Sequence, residues 1–218
     1  MPAAAVWLPA VVLAAVVSGT VAIPPSAAPS RLELERSAKF IHGPGATDPG
    51  FESSANATTG VVALVRVGPG VRMFEPARGR ATLDQVDKTF IPALLPIVVG
   101  TTVDFPNQDE IYHNVFSYSR PKRFDLGRYA SGEKRSVTFD TPGVVRVFCE
   151  IHSFMRATIV VLPTPYFAVV DDAGGFEVRG VPSGEYQLLL WHEGLADLVP
   201  VRSVSLAATD SVRVRLEP

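Results

Sequence analysis

Three side chains that bind soft metal ions stand close together in the stretch FCEIHSFM, residues 148–155. Cys149, His152 and Met155 follow one another at three-residue intervals and offer a thiolate, an imidazole and a thioether. If the backbone loops tightly between two strands, all three side chains can converge on one ion. Cys149 is also the only cysteine in the chain. In an exported protein, an odd cysteine of this kind indicates a reactive thiol, an intermolecular bond or a metal ligand.

A second histidine completes a set of metal ligands. His113 lies in DFPNQDEIYHNVFS, after the strand-like run TTVDF and a turn rich in Asn and Asp. Two imidazoles and one thiolate with a weak axial methionine form a blue copper site, whose geometry serves electron transfer. Zinc is the rival ion, although a thioether is a poor zinc ligand and a closed zinc site more often contains several cysteines. The predicted metal ligands are His113, Cys149, His152 and Met155.

The two ligand segments resemble the cupredoxins, the plastocyanin and amicyanin group. The resemblance is carried by GTTVDFPNQDEIYHNVFS and TPGVVRVFCEIHSFM, spans residues 84–162, and includes a CxxHxxM spacing similar to that of amicyanin. It implies a Greek-key β-sandwich or barrel that holds one type 1 copper ion. By the same resemblance the equatorial ligands are His113, Cys149 and His152, and the axial ligand is Met155. The resemblance also implies that Asn114 links the two ligand loops.

Most of the chain predicts short strands separated by turns. Runs such as IVVGTTVDF, RSVTFD, VVRVFC and ATIVVL are rich in β-branched and aromatic residues, and Gly, Pro, Asn and Asp divide them. No convincing amphipathic helix is recognisable. The sequence therefore predicts an all-β protein.

The segment after the predicted ligands forms a second all-β unit. Its stretch DDAGGFEVRGVPSGEYQLLLWHE resembles the transthyretin-like, carboxypeptidase-regulatory domains. Residues 163–218 are therefore predicted to be a small transthyretin-like β-sandwich module, in which His192 is a packing or surface residue. About 55 residues is marginal for an independent core. Residues 60–83, with the run VVALVRV, therefore either add a strand to this module or stay with the middle domain.

The N-terminal residues 1–22 predict an export signal. They form an uncharged apolar run that closes on small residues, with Thr20 and Ala22 at the two selective positions of a cleavage site. Because the run begins without Lys or Arg, an uncleaved membrane anchor is the alternative, although Pro9 disfavours a straight spanning helix. Residues 23–59 are predicted to be a spacer. We therefore expect a periplasmic or secreted protein with no membrane segment after cleavage.

Charge and histidine content limit the classes of function. A formal net charge of −2 gives no basis for nucleic acid binding. Multicopper oxidases and copper nitrite reductases add copper sites built mainly from histidines, whereas this chain has four histidines in all. We therefore expect no enzymatic activity. The prediction is a carrier of single electrons whose redox partner is a dehydrogenase or a cytochrome-like protein, and copper storage or delivery is the alternative.

A basic segment at residues 120–135 bears on the choice of partner. Its cationic residues are Arg120, Lys122, Arg123, Arg128, Lys134 and Arg135. The segment either steers an acidic redox partner or is an ordinary solvated face.

Overall fold

The computed structural model describes residues 14–22, 60–69 and 78–217 of the chain. These residues contain seventeen β-strands and no helix, which confirms the predicted all-β fold. In chain order the strands are β1 (Ala15–Val21), β2 (Gly60–Val67), β3 (Arg80–Thr82), β4 (Asp84–Val86), β5 (Thr89–Ile91), β6 (Leu94–Val98), β7 (Thr102–Pro106), β8 (His113–Ser117), β9 (Phe124–Tyr129), β10 (Lys134–Thr138), β11 (Gly143–Phe148), β12 (Arg156–Leu162), β13 (Phe167–Val170), β14 (Gly175–Val181), β15 (Gly184–His192), β16 (Val199–Leu206) and β17 (Ser211–Leu216). Nowhere in the described segments is there a helix that could span a membrane.

Strands β3 to β12 build the middle domain, which is a sandwich of two sheets. The larger sheet has the order β6-β12-β11-β8-β9, and the smaller sheet has the order β10-β7-β3. Buried side chains from both sheets fill the space between them, among them Phe105, Val115, Val137 and Val147. Strands β4 and β5 form a separate hairpin, and its Phe90 lies in the same core.

The terminal module consists of β1, β2 and β13 to β17, again arranged in two sheets. Their strand orders are β14-β1-β17 and β13-β2-β15-β16, and Leu64, Phe176, Leu188 and Val214 belong to the core that they share. Strand β2 pairs with both β13 and β15. The run VVALVRV therefore belongs to the terminal module, which is one of the two placements expected for it. The middle domain is inserted between β2 and β13. The resemblance of this module to carboxypeptidase-regulatory domains stays a prediction.

The two sandwiches pack against each other through a third apolar cluster. Val61 of β2 and Trp191 of β15 share this cluster with Val160 of β12. The next residue along β2, Val62, faces the core of the terminal module, and the next along β12, Val161, faces the core of the middle domain. Strands that are buried on both faces read as continuous apolar runs rather than as alternating ones. This explains the runs VVAL and IVVL in the sequence.

Strand β1 lies within the residues assigned above to an export signal. It is the middle strand of its sheet, antiparallel to β14 and parallel to β17. Ala15, Val17 and Val21 are buried in the core of the terminal module. Residues 1–13 and the predicted spacer, residues 23–59, lie outside the described residues. Cleavage after residue 22 stays a prediction, and it would remove this strand.

A buried carboxylate ties together the three strands of the smaller sheet in the middle domain. Asp104 on β7 accepts hydrogen bonds from Arg80 on β3 and from Lys134 and Ser136 on β10. The hydrogen bond from Ser136, assisted by those from the two cations, lowers the pKa of Asp104 from 3.8 to about 2. Because this pKa is lowered by folding, the ionised carboxylate stabilises the fold above pH 3.8, and the stabilisation is lost as the pH falls towards 2.

We expect Asp104→Asn to lower the free energy of unfolding at neutral pH by about 1–3 kcal/mol, because charged donors lose an ionised acceptor. The variant should also lose less stability than the wild type between pH 4 and pH 2. Urea unfolding at several pH values measures both effects. Asp140→Asn is the control, because Asp140 is 66% exposed and its ion pair with Lys122 is 3.4 Å long. Equal acid dependence in Asp104→Asn and the wild type would contradict the assignment.

Candidate metal centre

The predicted ligands lie at one end of the larger sheet of the middle domain. His113 is the first residue of β8, Cys149 directly follows β11, and Met155 directly precedes β12. Antiparallel pairing of β8 with β11, and of β11 with β12, places these three strand ends side by side. His152 lies on the loop that joins β11 to β12. Neighbouring strands of one sheet therefore position all four side chains.

Backbone hydrogen bonds close the loop between Cys149 and Met155. The Cys149 amide donates to the carbonyl oxygen of Met155 at 3.3 Å, and the Met155 amide donates to that of His152 at 2.9 Å. The side chains of Cys149 and Met155 are each 1% exposed and belong to the core of the middle domain. By contrast, Ile151 and Phe154 on the same loop are 40% and 52% exposed. The loop thus directs its two sulfur-containing side chains inward and two apolar side chains outward.

Three donor atoms from the two loops form a compact triangle. The Nδ1 atoms of His113 and His152 are 3.1 Å apart, and each lies 3.8 Å from the Sγ atom of Cys149. A point in the plane of this triangle lies about 2.1 Å from all three atoms, close to the ~2.0–2.3 Å that nitrogen and sulfur ligands keep from a transition metal ion. The three residues thus fit a metal ion without rearrangement. Two imidazoles and a thiolate are also the donor set of type 1 copper.

The two imidazoles of the site differ in exposure. His113 is fully buried, whereas His152 is partly exposed, and their ring centroids are 4.8 Å apart. Burial lowers the pKa of His152, and the neighbouring His113 lowers it further. His152 is therefore neutral at neutral pH, as an imidazole must be to offer a lone pair to a metal.

The sequence of the middle domain decides which family this site belongs to. A family model of copper-binding proteins, the plastocyanin/azurin family, matches residues 77–162. This domain is a cupredoxin. The match includes both ligand loops, so copper is the cofactor, as the resemblance of residues 84–162 implied. The match does not extend to the terminal module, and no curated protein matches the chain.

Solved structures of copper proteins resemble parts of the chain. A reduced tryptophan-to-tyrosine variant of amicyanin is 26% identical; the match covers 40% of this chain and 87% of amicyanin, with a TM-score of 0.37. A purple cupredoxin from Nitrosopumilus maritimus is 24% identical over 38% of this chain and 99% of its own, with a TM-score of 0.34. A copper-containing nitrite reductase from Thermus scotoductus SA-01 is 30% identical over 45% of this chain and 25% of its own, with a TM-score of 0.37. Because these scores are low, the assignment rests on the family model and not on the structures.

A carboxylate in the cupredoxin domain holds the buried imidazole on the side away from Cys149. The Oδ2 atom of Asp109 lies 2.8 Å from Nε2 of His113, whose Nδ1 faces Cys149. An ionised carboxylate can only accept hydrogen bonds, so Nε2 carries the proton and Nδ1 presents its lone pair to the site. Carboxylates that accept the second N–H of a ligating histidine fix its tautomer and its orientation. Asp109 therefore prepares His113 to bind copper.

The hairpin of β4 and β5 fixes Asp109 in turn. The two carboxylate oxygens accept the backbone N–H groups of Asp87 at 2.6 Å and Lys88 at 2.8 Å. Both of these turn residues have positive φ, 51° and 57°, as a two-residue type I′ hairpin turn requires. Burial raises the pKa of Asp109, but the hydrogen bonds from Lys88, His113 and Asp87 outweigh it and hold the pKa below its ordinary value. Asp109 is therefore ionised at neutral pH.

Two asparagines join the ligand loops and give them internal order. The Oδ1 atom of Asn114 accepts the backbone N–H of Glu150 at 2.6 Å, so Asn114 links the two loops. Within the first loop, Nδ2 of Asn107 donates to the carbonyl oxygen of Ile111 at 2.8 Å, and its Oδ1 accepts the backbone N–H of Asp109 at 3.0 Å. Asn107 thus helps to fix the position of Asp109, the residue that contacts the His113 ring.

Sequence reasoning identified the three converging donors but missed Asp109. The available signal was a carboxylate four residues before His113 on the same loop, because ligating histidines usually donate their second N–H to a carboxylate, a carbonyl or water. That signal was weak, because Asp104 and Glu110 are acidic residues of the same stretch. Only the hairpin turn, which is distant in sequence, singles out Asp109.

Of the other two histidines, the structure describes His192, which takes no part in this site. His192, predicted to be a packing or surface residue, is buried at the end of β15 in the terminal module. Its Nδ1 accepts the backbone N–H of Gly194 at 3.2 Å, and burial lowers its pKa. His42 lies outside the described residues.

We expect Asp109→Asn to weaken copper binding by about 10–100-fold, because the imidazole loses its charged acceptor and the tautomer is no longer fixed. Competition with a chelator of known copper affinity measures this change. Glu110→Gln is the matched control, because it removes a carboxylate from the same loop at an exposed position. If both variants bind copper as tightly as the wild type, Asp109 does not position the ligand.

Proposed function

We propose that this protein is an exported type 1 copper protein that carries single electrons between redox partners. The observation that supports the proposal is the triangle of donor atoms from His113, Cys149 and His152, which are 3.1 to 3.8 Å apart. Met155, buried in the same domain core as Cys149, is the proposed axial ligand. Copper supplies reversible one-electron exchange between Cu(I) and Cu(II) when it is bound in such a set. That the protein is not an enzyme stays a prediction.

The residues around the site oppose movement of the ligands when the charge of the centre changes. Asp109 holds the ring of His113, and two backbone hydrogen bonds close the loop that carries Cys149 and His152. Asn114 connects the two loops. Ligands locked by supporting hydrogen bonds keep one geometry. A site with one geometry in both oxidation states suits electron transfer.

His152 is the proposed exit for electrons. It is the more exposed of the two histidines, and the exposed ring of Phe154 lies with its centroid 6.0 Å from the His152 ring. Together with Ile151, Phe154 forms a small apolar rim at the ligand loop. Redox partners typically meet over small, transient interfaces. We therefore propose that a dehydrogenase or a cytochrome-like protein docks at this rim.

The basic segment at residues 120–135 contributes less to such docking than its composition suggests. Four of its six cations form ion pairs within the domain: Lys122 with Asp140, Arg128 with Glu150, Lys134 with Asp104, and Arg135 with Glu133. These pairs reduce the net positive charge of the face, and exposed pairs are easily screened by salt. The partner proposal therefore rests on the rim around His152.

We expect the copper-loaded protein to show an intense sulfur-to-copper charge-transfer band in the visible spectrum. Cys149→Ser should abolish the band, because the thiolate that donates the charge is gone. Absorption spectra of both proteins with equal copper content test this. Ser153→Ala, on the same loop, is the control and should stay coloured. A colourless copper complex of the wild-type protein would refute the ligand assignment.

Met155→Gln should keep the colour but lower the reduction potential, because an oxygen donor replaces the weak axial thioether and the equatorial ligands remain. Voltammetry of the copper-loaded variant measures the potential. Met155→Leu is the matched comparison, since it removes the sulfur and adds no donor. If both variants have the wild-type potential, Met155 is not an axial ligand.

Electron transfer and copper delivery make different predictions for the loaded protein. If the protein is an electron carrier, its copper should cycle reversibly between Cu(I) and Cu(II). The copper should also stay bound when a copper-free acceptor protein is added whose copper affinity exceeds that of ordinary buffer ligands. Voltammetry, followed by separation of the two proteins and copper analysis of each, measures both properties. Rapid loss of copper to the acceptor, without reversible cycling, would favour delivery.

A further inference from the structure

We propose that the mature protein retains Ala15–Val21, so that any cut releasing an export signal lies before Ala15 and not after Ala22. This proposal rests on the proposed export. Such a cut is the hydrolysis of one peptide bond: water supplies the oxygen of the new carboxylate and a proton of the new amine.

The first argument is the position of β1 within its sheet. It lies between β14 and β17, and in the described part of the chain neither of these strands pairs with any other. At one position, for example, Val17 pairs with Val178 on one side and Val212 on the other. Loss of β1 would separate β14 from β17 and leave the facing backbone groups of both strands without partners. Unpaired backbone groups of this kind are costly and form edges that other chains can join.

The second argument is the core of the terminal module. Ala15 and Val17 have no exposed surface, and Val21 is 5% exposed. They belong to the same cluster as Phe176 of β14 and Val214 of β17. A chain that begins after Ala22 would lack the apolar side chains that cover this part of the core. Buried apolar surface is the main favourable contribution to folding, so the module would be weakened.

The third argument is the fit of Gly19. A Cβ atom at this position would lie 2.0 Å from the carbonyl oxygen of Val214 and 3.0 Å from Cε1 of Phe176. Only glycine lets the strands approach this closely. The glycine thus meets a steric requirement of the folded strand.

The N-terminus of the protein recovered from cells tests the proposal directly. The full chain is produced in a bacterium, the cytoplasmic and periplasmic fractions are separated, and the N-terminal residue of each is determined by intact mass and sequencing. An exported chain that begins at or before Ala15 supports the proposal, and one that begins at any later residue overturns it. A chain found only in the cytoplasm with Met1 in place would contradict export while leaving β1 retained. Failure of the export proposal is therefore distinguishable from failure of this one.

A pair of variants tests whether the retained segment is the folded strand. Gly19→Ala should lower the thermal midpoint of the exported protein by about 5–10 °C, because the new methyl group collides with backbone of β17. Thr20→Ser, an exposed change on the same strand, should leave the midpoint unchanged. The charge-transfer band should stay the same in both, because β1 belongs to the terminal module. Identical midpoints in both variants and the wild type would show that β1 is not part of the folded protein.

Discussion

The pairing of β8 with β11 is the constraint on which the metal centre depends. Because the two strands run antiparallel, the beginning of β8 lies beside the end of β11, and His113 meets Cys149 across a separation of 36 residues in sequence. The return of the chain along β12 then adds His152 and Met155 from one short loop. Since the donors sit at strand ends and not on long loops, their spacing is set by the ladder of the sheet. Sheet formation therefore also forms the site.

The surroundings give the two imidazoles different tasks. His113 is fully buried, and its ring is hydrogen-bonded to the Asp109 carboxylate. The same carboxylate also accepts two backbone N–H groups of the hairpin turn. His152 lies at the surface end of the site, near exposed Phe154. One ring is thus anchored from inside the domain, and the other lies between the centre and solvent, where we propose that a partner docks. A centre that must keep one geometry and still exchange electrons needs both properties.

The sequence predicts what is local and misses what depends on tertiary packing. Cys149, His152 and Met155 are recognisable because their spacing is short and their donor atoms are of distinct chemistry. Asp109 is not, because the turn that selects it lies more than twenty residues away in sequence. Residues 15–21 illustrate a different difficulty. An uncharged apolar run satisfies both an export signal and a strand buried in a sheet, and only the partners on β14 and β17 distinguish them.

The stacking of four sheets has a consequence for the cupredoxin domain. In many small β-sandwiches both outer faces meet solvent, but here the outer face of β11 and β12 contributes Val144 and Val160 to the cluster shared with Trp191. The same two strands carry Cys149 and Met155 at the ends that hold the metal. The terminal module therefore packs against the outer face of the two strands that position the sulfur ligands. The cupredoxin domain is inserted between β2 and β13, and these two strands pair with each other in one sheet of the terminal module. Both ends of the inserted domain are therefore connected to the same sheet. None of the proposed ligands comes from the terminal module, yet its packing can thus restrain the strands that position them.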